Sequence, residues 1–225
     1  MSPKIIYLIA AVCLLTLLVI TAKSMESNPF ENSIQTFENW DKKNSFPENA
    51  VLFVGSSSIV KWKTHEFFRE MPVINRGFGG SQISDINYYV RRIVLPYKPK
   101  VIVFYAGDND IAAGKSATQV ADNFMTFVGM VHKELPKTTI IYISMKYCSN
   151  NYPLHDAMKE GNGLIDGYSK KDSKLIYFDG ASPLLGEDGK PNDYLFESDR
   201  HHLNDKGYEI WSRLLKPIIQ LVIGE

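Results

Sequence analysis

The constraint that most narrows the fold of this 225-residue chain is an alternation along its length. Uninterrupted apolar, β-rich runs occur at Ala50–Gly55 (AVLFVG), Val101–Ala106 (VIVFYA) and Thr139–Ser144 (TIIYIS). Shorter runs stand at Pro72–Asn75 (PVIN) and Leu175–Asp179 (LIYFD). A strand with no polar face must be covered on both sides, as in a parallel sheet. Between the runs lie amphipathic helical stripes: Ile83, Ile86, Tyr89, Val90, Ile93 and Val94, then Val120, Phe124, Phe127, Val128, Val131 and Leu135. Ser116 with Gln119 makes a capping box for the second stripe. Asn204 reads as the cap of a last helix carrying Tyr208, Trp211, Leu214 and Leu215, which Pro217 is expected to disturb. Ile34, Phe37 and Trp40 recur at helical spacing before Pro47. The pattern predicts a three-layer α/β/α sandwich with right-handed crossovers. With two Cys there is no disulfide scaffold, so the fold must stand on packing.

The first segment is set apart. Ile5 to Ala22 is an uncharged run of 18 residues between Lys4 and Lys23, longer than the apolar region of a usual signal peptide and just long enough to span a bilayer. Residues 1–24 are therefore read as a signal anchor, or as a signal peptide cleaved after Ser24. Residues 25–45 form a tether and first helix, and 46–225 the main folded domain. On this reading the domain is exported, to the periplasmic or extracellular face, and meets the membrane through its N-terminal segment. Cys13 lies inside the apolar run, which leaves Cys148 as the domain's only thiol, expected to be buried and inert. Without Lys4 and Lys23 the 25 basic residues become 23 against 25 acidic ones. That balance argues against a nucleic-acid partner, which calls for a basic excess.

In a parallel α/β sandwich ligands bind beyond the carboxyl ends of the strands. The first strand runs into Gly55-Ser56-Ser57-Ser58, the second into Asn75-Arg76-Gly77-Phe78-Gly79-Gly80-Ser81, and the third into Gly107-Asp108-Asn109-Asp110. The loop from Glu197 to Leu203 precedes the last helix and holds Asp199, His201 and His202. This set suits acyl transfer. A Ser hydroxyl needs an imidazole to take its proton, and the imidazole needs a carboxylate to fix its tautomer. Asp199 and His202 offer both groups from one loop. The Asn109 amide and the backbone N–H groups of Ser57 and Gly80 are suitable donors to a developing oxyanion. Which of the three consecutive serines attacks is open on spacing alone.

The four blocks resemble those of the SGNH, or GDSL-type, hydrolases, and most closely the platelet-activating-factor acetylhydrolase-like branch. VLFVGSSSI matches the first block and implies Ser57 as nucleophile, with Ser56 where the family usually has Asp. INRGFGGS matches the second and implies Gly80 as an oxyanion donor. Gly107-Asp108-Asn109-Asp110 matches the third and assigns the oxyanion amide to Asn109, while Asp199-Arg200-His201-His202 matches the Asp-x-x-His block. The resemblance spans Ala50 to Leu215 and implies a flavodoxin-like sheet of five parallel strands. It also implies an esterase using Ser57, His202 and Asp199, with no metal and no cofactor, on a small-molecule ester such as an acylated sugar or lipid.

Other readings fit less well. Gly107 to Ser116 looks like a P-loop, but Gly107 and Gly114 enclose six residues where four are required. A metal-dependent phosphoesterase would draw on Asp108, Asp110, His201 and His202. A catalytically silent carbohydrate- or lipid-binding module on the same scaffold is the non-enzymatic alternative. The Gly-x-Ser-x-Gly elbow of the α/β-hydrolases is absent, because Ile59 fills the last Gly position. The stretch from Lys146 to Gly163 has no clear pattern and is expected to line the pocket with Tyr147, Tyr152 and His155.

Overall fold

A computed structural model describes residues 28–224. The apolar run Ile5–Ala22, the cleavage site after Ser24 and Cys13 lie outside the described residues. Five strands form one parallel sheet: β1 (Val51–Gly55), β2 (Val73–Gly77), β3 (Val101–Tyr105), β4 (Thr139–Ile143) and β5 (Leu175–Phe178), in the order β2-β1-β3-β4-β5. Among the described residues eight helices cover it: α1 (Glu31–Asp41), α2 (Ser57–Val60), α3 (Thr64–Phe67), α4 (Ile83–Ile93), α5 (Asp108–Ala112), α6 (Ala117–Glu134), α7 (His155–Ser169) and α8 (Asp205–Gly224).

The uninterrupted apolar runs are explained by alternation across the sheet. Leu52, Val54, Ile102, Phe104, Ile140 and Tyr142 join the core under α1, α4, α6 and α7. Val51, Phe53, Val101, Val103, Tyr105, Ile141 and Ile143 join the core under α2, α3 and α8, with Trp62 and Trp211. This is the expected three-layer sandwich.

The strand order reverses between β1 and β3, and register brings their ends level. Gly55 pairs with Gly77 on one side and Tyr105 on the other. The loops after β1, β2 and β3 therefore leave the sheet at one height. Gly55 is required there, because a Cβ at that position would stand 1.9 Å from the Tyr105 carbonyl oxygen.

The two helix caps read from the sequence form. Ser116 and Gln119 cap α6 reciprocally, and the Asn204 side chain accepts from the N–H groups of Lys206 and Gly207 at the start of α8. Three expectations are corrected. Pro217 does not end α8, which runs on to Gly224 because Ile219 and Val222 are buried on its inner face. Trp40 is half exposed rather than part of the apolar stripe of α1, whose buried residues are Ile34 and Phe37. β2 extends past Asn75 to Gly77, since the charge of Arg76 is met by Asp41 and Tyr97 at the sheet edge.

The ends of the described chain lie at opposite rims. Phe30, just before α1, packs edge-on against Phe78 at the carboxyl end of β2, with ring centroids 5.1 Å apart. The last turn of α8 lies at the other rim, where the Ile223 carbonyl accepts from Lys100 just ahead of β3.

Candidate active site

Ser57 opens α2 directly after β1, and His202 and Asp199 lie in the loop ahead of α8. Folding brings the three into one hydrogen-bonded chain. Ser57 Oγ is 2.8 Å from His202 Nε2, and His202 Nδ1 is 2.6 Å from Asp199 Oδ2. The other Asp199 oxygen accepts the backbone N–H groups of His201 and His202, each at 2.9 Å. Burial pushes the Asp199 carboxyl up, but the hydrogen bonds from the His202 ring and from the two backbone N–H groups outweigh it and hold the group well below the usual carboxylate range. An ionised Asp199 accepts only, so Nδ1 carries the imidazole proton and Nε2 is left to accept from the Ser57 hydroxyl. Ser57 is partly exposed, whereas Ser56 and Ser58 are buried, which singles out Ser57 among the three serines.

The remaining loops converge on the same point. A Cβ at Gly79 would stand 3.7 Å from Ser57 Cβ, so the turn after β2 lies against the Ser57 side chain. Gly80 follows with φ +78°, a conformation that favours glycine. The turn is pinned to α5 from two sides: Asn109 Nδ2 donates to the Ser81 carbonyl at 3.0 Å, and Asp110 accepts the Ile83 N–H at 2.9 Å. One amide hydrogen of Asn109 remains for a ligand. Among the described residues, neither the Ser57 nor the Gly80 N–H meets an acceptor in the chain.

Beneath this surface lies a polar cluster that sequence reasoning missed. The Lys146 side chain is wholly buried, and its ammonium donates to Asp108 Oδ2 at 3.2 Å, Tyr105 Oη at 3.0 Å and Ser58 Oγ at 3.2 Å. Burial pushes the Asp108 carboxyl up, yet the Lys146 ammonium and the Tyr105 hydroxyl bring it below the usual range, so the two form an ion pair. The available signal was a lysine directly after an unbroken apolar strand. His201 lies against the cluster, with Nε2 4.0 Å from Asp108 Oδ2 and Nδ1 3.4 Å from Cys148 Sγ. Burial, with the Lys146 charge, pushes its imidazole down to about 4. Cys148 is buried, and burial raises its thiol. The Ser56 hydroxyl, at the position of the family Asp, is buried with no partner among the described residues.

Several expectations about this region change. Asp108, Asp110, His201 and His202 do not converge as a ligand set, since Asp108 faces Lys146, Asp110 pairs with Lys115 at 2.8 Å and His202 faces Ser57. Among the described residues no group of three or more His, Cys, Asp or Glu is placed to hold a metal ion. The segment after Lys146 is ordered as a 3-10 turn (Ser149–Leu154) running into α7. His155 is tied inward, to the Cys148 carbonyl at 3.0 Å and the Asn151 amide oxygen at 2.9 Å, and Tyr147 packs on its ring. Tyr152 remains exposed.

The family model described as the GDSL-like Lipase/Acylhydrolase family matches residues 56–210. Among solved structures, the chain is similar to a Streptococcus pneumonia protein named as a platelet activating factor, at 17% identity and TM-score 0.77, covering 91% of this chain and 99% of that one. It is also similar to a GDSL-like lipase from Bacteroides thetaiotaomicron, at 23% identity and TM-score 0.71, covering 84% and 97%. A third is an acetylxylan esterase from Geobacillus stearothermophilus, at 14% identity and TM-score 0.63, covering 78% and 95%. These likenesses establish the fold. No curated protein matches the chain by sequence.

Proposed function

The chain belongs to the GDSL-like lipase/acylhydrolase family and is a carboxylic ester hydrolase, and from that premise we propose that it works through Ser57 as nucleophile, His202 as base and Asp199 as the group that orients the imidazole. The observation that carries the reading is the unbroken chain Ser57 Oγ, His202 Nε2, His202 Nδ1, Asp199 Oδ2 at 2.8 and 2.6 Å.

Ser57 Oγ attacks the acyl carbon as its proton passes to Nε2. The imidazolium so formed is steadied by Asp199. The carbonyl oxygen, now carrying negative charge, meets the Ser57 and Gly80 N–H groups and the free Asn109 amide hydrogen. One such donor contributes about 2.7–4 kcal/mol to the barrier reduction. The ester C–O bond then breaks, the Nε2 proton goes to the leaving alkoxide, and Ser57 holds the acyl group. Water gives a proton to Nε2, attacks the acyl-enzyme and releases the acid, and the proton returns to Ser57.

We take the substrate to be a short-chain acyl ester, such as an acylated sugar or lipid. The acetylated substrate named for the Geobacillus stearothermophilus structure supports small acyl groups. The uncharged run Ile5–Ala22 supports an exported domain held at the membrane, and protease accessibility in intact cells tests that placement. For the activity, p-nitrophenyl esters of increasing chain length are the test. Wild-type protein is expected to prefer acetate or propionate, and Ser57→Ala to lose at least about a thousandfold in kcat. Equal rates for both proteins sink the assignment of Ser57, and rates rising towards long chains sink the short-acyl assignment.

A further inference from the structure

Each of the three catalytic loops sends a sequence neighbour of its functional residue to one buried point. Ser58, next to Ser57, accepts from the Lys146 ammonium. Asp108, next to Asn109, is the ion-pair partner of Lys146 through Oδ2, while its Oδ1 accepts the Asn109 backbone N–H at 3.0 Å. His201, next to His202, lies with Nε2 4.0 Å from the same Asp108 Oδ2. We propose that Lys146 and Asp108 are positioning residues for the ester hydrolysis, setting the nucleophile and the oxyanion amide at their working separation.

The chemistry supports such a role over simple core filling. An ammonium has three N–H donors, and Lys146 meets three acceptors, on β3 (Tyr105), on α2 (Ser58) and at the start of α5 (Asp108). Each donor thus fixes a different piece of the site from the end of β4. An apolar side chain of the same length would fill the space but would hold none of these groups in place. Buried ion pairs are weak sources of stability, because desolvation offsets attraction. A pair retained directly beneath the reacting groups is better explained by the geometry it imposes. Tyr208, whose hydroxyl donates to the Ser58 carbonyl at 2.8 Å, holds the same turn from α8.

The inference rests on the proposed function, so the test carries both. Wild type, Ser57→Ala, the double variant Lys146→Met with Asp108→Asn, and Ser58→Ala are compared on p-nitrophenyl acetate, with thermal melts of each. The double variant removes both charges together and leaves no unpaired buried ion. It is expected to melt cooperatively near the wild-type temperature, with KM within about threefold and kcat lower by about a hundredfold, the scale of a small misplacement of reacting groups. Ser58→Ala keeps the ion pair and is expected to lose about five- to tenfold in kcat at unchanged KM. A folded double variant with kcat within about threefold of wild type, or with its loss confined to KM, overturns the proposal. If the double variant does not fold, Ser58→Ala decides, and a kcat within about twofold of wild type overturns it. An inert wild type, or a fully active Ser57→Ala, overturns the functional reading instead.

Discussion

His201 stands between the catalytic chain and the buried ion pair, and its protonation couples stability to pH. Burial and the Lys146 charge lower its imidazole from 6.5 to about 4 in the folded protein. As pH falls below 6.5 the unfolded chain takes up a proton that the folded chain refuses, so stability falls with pH until about 4. Between pH 7 and pH 4.5 the expected loss is on the order of 2 kcal/mol. Asp199 acts in the same direction but in a lower window. Its depressed carboxyl contributes above the ordinary carboxylate range and is lost only beneath it, so it does not blur the effect. Urea unfolding at the two pH values checks this, and His201→Gln should flatten the slope; an unchanged slope excludes His201 as its source. The residues proposed for catalysis could be picked out in the sequence because Ser57, Gly80 and Asn109 follow β1, β2 and β3 in polar loops, while Asp199 and His202 share one loop ahead of α8. Lys146 could not, because its partners Asp108 and Ser58 lie 38 and 88 residues away and nothing local marks them.

At the level of elements, the two long amphipathic stripes became α4 and α6 because apolar spacing and caps agreed. The period of α7 was hidden by Gly161, Gly163 and Gly167, which lie in its middle and last turns. At Gly161 a Cβ would stand 2.9 Å from Cε of Met145, the flexible end of a side chain that can shift to admit it. α1 is held to α4 by charge as well as packing. Arg92 reaches Glu31 at 2.9 Å and Glu38 at 2.6 Å and lies over the Tyr89 ring. The guanidinium is a third exposed, so the clamp is worth only about 1 kcal/mol. Arg92→Ala is therefore expected to lower Tm by about 2–4 °C with kcat unchanged. A larger loss, or a fall in kcat, would mean that α1 does more than cover the sheet.

At the scale of the whole molecule, the layered architecture was readable from unbroken apolar runs, which only a sheet covered on both faces accommodates. The observed strand order is the flavodoxin-like one that the family resemblance implied, while the level register was not legible, because it depends on crossovers between distant segments. The opposed ends of the described chain have a practical bearing. An enzyme grafted to a bead through the C-terminal side of α8 holds its catalytic rim away from the surface, since Ile223 lies at the far edge by Lys100. Grafted directly ahead of Asn28, it turns Phe30, Phe78 and the neighbouring Gly80 turn towards the bead. Both preparations should cleave a small aryl ester alike. Only the first should work at full rate on an acylated polymer, and equal rates for both would show that the rim stays open whichever end is held.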